Sequence, residues 1–282
     1  MWTDTHAHLD HGAFADDLDA VLDRARAAGV GRIVTVGTTV EGSRTAIALA
    51  ERHPDVYAAV GIHPEHASEV ADNFIEALAD LARHPRVVAI GETGLDYFRL
   101  PGGPDKSSDD VVAALGASDA RLMGSALERQ RIIENQKTVF AAQLELAAQL
   151  GKNVVIHQRS SWLDTLDAIR PFTGRLRCVF HCFGGTLEDA REVIELGHLI
   201  SFTGILTFRN GAALRETAKA IPSGSFMIET DCPYLAPDPH RGKRCEPAQV
   251  IHTAEALAAC RGGSPGDLSA EIEATTASFF GL

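Results

Sequence analysis

The sequence predicts an α/β fold closed into a barrel of eight parallel strands, and three observations carry that expectation. Eight short apolar runs are spread along the chain. Helical stretches with one apolar face separate most of them, and strands that alternate with helices form a parallel sheet. At least six of the runs end on polar side chains, including His6, His63, Glu92, His157, His181 and Asp231. An open doubly wound sheet binds ligands at one crevice fed by a few loops. A closed barrel brings every strand's C-terminal end to one face, where residues distant in sequence converge. The wide distribution of polar ends therefore favours closure.

The predicted strands are Trp2 to Thr5, Arg32 to Val36, Val56 to Ile62, Val87 to Ile90, Asn153 to Ile156, Arg177 to Phe180, Leu199 to Thr203 and Phe226 to Ile228. Many read as unbroken Val, Ile and Ala runs, as strands buried on both faces do. From Asp17 to Ala28, Leu18, Val21, Leu22 and Ala25 share one helical face, with Asp19, Asp23 and Arg24 largely opposite and Gly29 as a C-terminal stop. Ser43 to Arg52 repeats the pattern, as does Phe74 to Ala82, which ends near Pro85. Thr138 to Leu150 predicts a further helix closed by Gly151. The rhythm breaks after the fourth strand, where Pro, Gly and Ser follow Leu100 in a loop too long for a simple connection. We expect one barrel domain over residues 1–282, with an insertion at about 100–131 that leaves the catalytic face as a lid.

A parallel barrel typically takes roughly 250 residues, which the 282 residues here accommodate. The composition, 45% apolar and 23% charged, is that of a globular chain with a large core. Neither a long uncharged apolar run nor a basic leader is visible, so the expectation is a cytoplasmic protein without membrane contact. Five cysteines with no CxxC pair argue against a disulfide framework and suit small buried side chains. A net charge of −12 excludes broad nonspecific duplex binding, which needs many Lys and Arg contacts. Serine hydrolase and P-loop signatures are absent.

His6 and His8 lie two residues apart, on the same side of an extended backbone, where both imidazoles can reach one ion. Glu92, His157, His181 and Asp231 add a carboxylate, two imidazoles and a second carboxylate at other strand ends. Four histidines and two carboxylates suffice for two divalent ions. Two such ions need a shared anion between them, and Glu92, midway around the barrel, suits that bridge. Asp231, on the strand that closes against the first, joins His6 and His8, leaving His157 and His181 for the other ion. Asp231 is also the expected general base, since it can take the proton of the attacking water. Mixed imidazole and carboxylate donors accommodate Mg, Mn or Zn.

Together with its flanks, this constellation resembles the TatD family of metal-dependent deoxyribonucleases, within the metal-dependent hydrolase superfamily. The matching stretches run in order from Asp4-Thr-His-Ala-His-Leu-Asp10 through Gly61-Ile-His-Pro64, Gly91-Glu-Thr-Gly-Leu-Asp-Tyr97, Gln143-Leu144, Val155-Ile-His-Gln-Arg159, His181-Cys-Phe-Gly184 and Glu229-Thr-Asp-Cys-Pro-Tyr-Leu235 to Arg241-Gly-Lys-Arg-Cys-Glu-Pro247. The resemblance implies a distorted (β/α)8 barrel, divalent metal ions and phosphodiester hydrolysis. It places the family's ligand positions on His6, His8, Glu92, His157, His181 and Asp231. Two departures stand out. The stretch from Leu100 to about Asn135 is longer than the family's connection there, and Cys245 stands where Asn is commoner.

Arg159, two residues beyond His157, is placed to clamp a phosphate, as are Arg241, Lys243 and Arg244 in the loop after the last strand. Glu246 can orient one of these cations or a ligand histidine. His63 matches a family signature outside the ligand set and is placed to contact the scissile phosphate or protonate the leaving oxygen. Tyr97, Phe98 and Trp162 are candidates for base stacking. The expected activity is a deoxyribonuclease that uses two divalent ions to direct water at a phosphodiester. Its expected partner is DNA, as single strands or ends, with no stable protein partner. A small-molecule ester, amide or lactone hydrolase using the same two ions is the alternative, and a noncatalytic metal-binding scaffold a more distant one.

Overall fold

The computed structural model describes residues 1–98, 100–101 and 119–282. Its elements in chain order are β1 (Trp2–Ala7), α1 (Leu18–Ala27), β2 (Val30–Val36), α2 (Val40–Arg52), β3 (Val56–Val60), α3 (Phe74–Ala82), β4 (Val87–Asp96), α4 (Asp119–Leu150), β5 (Asn153–Arg159), α5 (Trp162–Ile169), β6 (Cys178–Phe180), α6 (Leu187–Glu195), β7 (Leu199–Phe202), α7 (Ala212–Ala220), β8 (Phe226–Ile228), α8 (Val250–Arg261) and α9 (Pro265–Phe280). The strands pair in parallel in sequence order from β1 to β8. A parallel bridge between Ala7 and Cys232 carries the closure, reinforced by Asp231 N donating to His6 O at 2.9 Å. At the same seam the buried Asp4 carboxylate accepts from Thr230 N at 2.8 Å and Oγ1 at 2.6 Å. The chain is a nearly closed (β/α)8 barrel. No helix among the described residues is long and apolar enough to cross a membrane.

Inward-facing side chains fill the barrel. Val34, Val36, Ala59, Ala89, Val155, Val179, Leu199 and Met227 pack as one cluster with Phe279 and Phe280. The two rings belong to the last turn of α9, so this helix plugs the end of the barrel opposite the polar strand ends. The helix starts from a Ser264–Asp267 capping box with Pro265 in its first turn and ends at Gly281 in the left-handed conformation. Ser264→Ala should therefore lower stability by about 1 kcal/mol, read as a small drop in urea midpoint. A second, larger cluster lies between strands and helices and includes Leu22, Ile33, Leu78, Phe140, Leu144, Phe180 and Phe226.

The structure extends several predicted elements, two strands and one helix most of all. β4 runs on to Asp96 and β5 to Arg159, since Thr93, Gly94, Leu95 and Asp96 pair with Ile156, His157, Gln158 and Arg159. The glycines make this stretch look like a loop in sequence, yet they permit the pairing. Gly94 has φ +145, and a side chain there would run into the His157 carbonyl. Gly94→Ala should cost about 1–3 kcal/mol and displace His157, which melting and metal titration would both register. α4 begins at Asp119, well before the expected Thr138. Residues 124–131 are largely solvent-exposed, so one-sided apolar patterning does not announce a helix there. Of the expected insertion, residues 102–118 lie outside the described residues, and those from Asp119 onward belong to α4.

Candidate metal centre

The C-terminal ends of the strands converge on Glu92, which is almost fully buried. Its two carboxylate oxygens face different partners. Oε2 lies 3.4 Å from His6 Nε2 and 3.8 Å from His8 Nε2. Oε1 lies 2.7 Å from His157 Nδ1, 2.9 Å from His181 Nε2 and 3.6 Å from His63 Nε2. Asp231 Oδ1 completes the first group, 3.4 Å from His8 Nε2 and 3.8 Å from His6 Nε2. The two Nε2 atoms of His6 and His8 are themselves 3.3 Å apart, as an extended strand with both rings on one side allows. Sequence positions from 6 to 231 thus contribute to one cluster of donors.

The donor set fits divalent metal. Nitrogen and oxygen ligands about 2.1 Å from a common ion stand about 3.4 Å apart in a tetrahedron, and the first group spans 3.3–3.8 Å. Among the described residues, three sets have ligand atoms close enough for one ion: His6 with His8 and Asp231, His6 with Glu92 and His181, and His63 with Glu92 and His157. His63, expected at the substrate, therefore also stands within reach of an ion.

The carboxylates of the site are held anionic. Burial alone would raise the Glu92 carboxyl, but the His181 charge and the hydrogen bond from His157 hold it well below the usual carboxylate range. Burial likewise opposes the Asp231 charge and is outweighed by the His8 hydrogen bond and the His181 charge. Burial pushes His63 down to about 3, leaving it neutral. It would lower His8 too, yet the Asp231 hydrogen bond and charge and the Glu92 charge raise His8 to about 9. Anionic carboxylates crowded by imidazoles suit a cation.

Further carboxylates hold the imidazoles in place. His157 Nε2 lies 3.1 Å from Asp96 Oδ2, and His181 Nδ1 lies 3.2 Å from Glu229 Oε1. Glu229 is itself fixed by Cys182 N at 2.7 Å, and Asp96 by Phe98 N at 2.9 Å. Such outer partners set ring orientation and tautomer, and their loss typically costs about 10- to 100-fold in metal affinity or activity. Glu229→Gln should fall in that range, with circular dichroism unchanged and metal titration showing the deficit. Sequence reasoning did not assign these roles. The available signal was an acid a few residues from Glu92 or Asp231.

Above the donors a cleft of about 640 Å³ opens to solvent, lined among others by His11, Glu65, Ile132, Gln136, Arg159 and Tyr234, a size ordinary for small-molecule sites. Arg159 reaches this cleft, with its guanidinium 3.6 Å above the Phe98 ring. Arg241, Lys243 and Arg244 are not among its lining residues. Arg241 instead covers Phe208 and donates to Ala236 O. Arg244 binds Asp17 and Glu246, each at 2.8 Å, and Lys243 is exposed. Glu246 also pairs with Arg24 at 2.7 Å, so its charge joins the last loop to α1. All five cysteines are free, and Cys178, Cys232 and Cys245 are buried.

Donors of this kind at the C-terminal mouth of a parallel barrel suit metal-dependent hydrolysis, and with the relatives they define the class of the chain, a metal-dependent hydrolase acting on ester bonds. The chain belongs to the TatD-related DNase family, whose model matches residues 3–281. It is 36% identical over 259 residues to the uncharacterized metal-dependent hydrolase YabD of Bacillus subtilis, covering 92% of this chain and 90% of that one. It is 34% identical over 285 residues to the 3′-5′ ssDNA/RNA exonuclease TatD of Citrobacter rodentium, covering 99% and 97%. Among solved structures, YJJV, a TatD homologue from Escherichia coli, superposes with a TM-score of 0.83 at 27% identity, covering 100% of this chain and 98% of that one.

Proposed function

We propose that this protein is an exonuclease that shortens single-stranded DNA from its 3′ end with two divalent ions. The observation that carries the reading is Glu92, whose two oxygens face separate groups of donors beneath a cleft that also contains Arg159. Relatives named as 3′-5′ ssDNA/RNA exonucleases, such as those of Citrobacter rodentium and Erwinia tasmaniensis, support the substrate. His6, His8 and Asp231 would hold one ion, His157 and His181 the other, and Glu92 both. When bound, such ions would polarise the phosphodiester and lower the pKa of a bound water.

The remaining work falls to side chains. Asp231, kept anionic and lining the cleft, accepts the proton of the attacking water on its carboxylate. Arg159, stacked on Phe98, presents a preset guanidinium to a phosphate oxygen pair. Neutral His63 points its Nε2 toward the donors and cannot repel a cation there. Asp10, Glu65 and Asp96 line the same cleft and disfavour a long polyanionic footprint, which suits one strand end better than a duplex.

The test is hydrolysis of an end-labelled single-stranded oligonucleotide after chelation, with Mg, Mn or Zn restored. Stepwise metal-dependent shortening is expected, slowed about 10²- to 10⁴-fold in Asp231→Asn. Tight metal binding without any cleavage would instead favour a small-molecule ester or lactone substrate.

A further inference from the structure

We propose that Tyr234 is the specificity element of this site, a stacking platform for the nucleobase beside the scissile phosphodiester. Among the described residues it is the one Phe, Tyr or Trp side chain left largely open to solvent, at 51% exposure, and it lines the cleft above the donors. The aromatics expected from sequence to stack are already engaged. Tyr97 is buried and its hydroxyl donates to Asp164 at 2.8 Å. The Phe98 ring carries the Arg159 guanidinium, and Trp162 packs against Phe180 and Phe183.

The Tyr234 ring is also preset. Its backbone N–H donates to Asp231 O at 3.0 Å, while Pro233 O accepts from Cys245 N at 3.0 Å and Cys232 O from His8 N at 2.9 Å. A short turn tied at three points therefore carries the ring directly from Asp231. Its plane stands nearly perpendicular to the rings of His8 and His11, with centroids 6.1 Å and 5.7 Å away. Little ordering entropy is lost when a rigid aromatic receives a flat ligand. Every base offers a π-face, so stacking there recognises a nucleotide without reading sequence. Arg159 lines the same cleft and answers the phosphate, so base and backbone are met by different residues.

The proposal rests on the nuclease reading, and its test separates the two. Two labelled single-stranded oligonucleotides are compared, identical except that the 3′-terminal nucleotide of one is abasic. Wild-type protein should cleave the base-bearing strand about 5- to 150-fold more efficiently in kcat/KM, the range of one base stack. Tyr234→Ala should lose most of that preference through KM while cleaving the abasic strand like wild type, with metal content unchanged. Tyr234→Phe, which keeps the ring, should retain it. An unchanged base preference in Tyr234→Ala, or equal loss on both strands, would overturn the stacking role while leaving the nuclease standing. Metal-loaded wild type that cleaves neither strand would overturn both.

Discussion

Glu92→Gln is expected to slow hydrolysis by at least about a thousandfold, equivalent to about 4 kcal/mol of barrier, and to leave fewer ions bound per chain. The variant keeps the shape of the side chain and removes its charge. Oε1 and Oε2 now serve His157 and His181 on one side and His6 and His8 on the other. A neutral amide would not neutralise the two cations of the proposed scheme, and its nitrogen would confront them as a donor. Elemental analysis of purified variant and wild type, beside the oligonucleotide assay, checks both halves. Near wild-type metal content together with near wild-type turnover would remove Glu92 from the centre of the scheme.

The second large effect lies at the other end of the barrel. Phe279→Ala should lower unfolding free energy by about 3–5 kcal/mol, as buried Phe truncations do, while the folded fraction retains its turnover. Phe279 packs with Phe280 against Val34, Val36, Val155 and Val179 in the barrel interior, and its carbonyl accepts from Asn153 Nδ2 at 2.6 Å. Truncation leaves a void that strands tied into a barrel cannot easily collapse. Urea unfolding at equilibrium gives the first quantity and activity in native buffer the second. A loss of activity matching the loss of stability would mean that the plug also shapes the catalytic mouth.

Much of this was legible before any coordinates. The apolar runs placed each of the eight strands, because strands buried on both faces cannot hide their composition. Glu92 as the hub of the donor ring followed from its position midway around a closed sheet. Less visible were the elements whose chemistry is carried by partners. Gly94, Asp96 and Glu229 carry no assigned role in the sequence, because their partners appear only in the fold, where Gly94 pairs with His157 and the two acids hold His157 and His181. The basic run Arg241 to Arg244 pointed to phosphate, but local charge gives no hint that Asp17, far away in sequence, takes Arg244. Tyr234 could not be told from a core aromatic, since exposure is a property of the fold.

The seam between β1 and β8 gives the donors a second significance. His6 and His8 stand on one side of it and Asp231 on the other, separated by more than two hundred residues of chain. An ion shared by the three would act as a clasp that fastens the first strand to the last, and the unfolded chain would have to close a very long loop to reproduce it. Ion binding then opposes unfolding by mass action. Chelation should therefore unbutton the barrel along this one edge before it loosens anywhere else, and amide exchange in β1 and β8 would be the first to quicken.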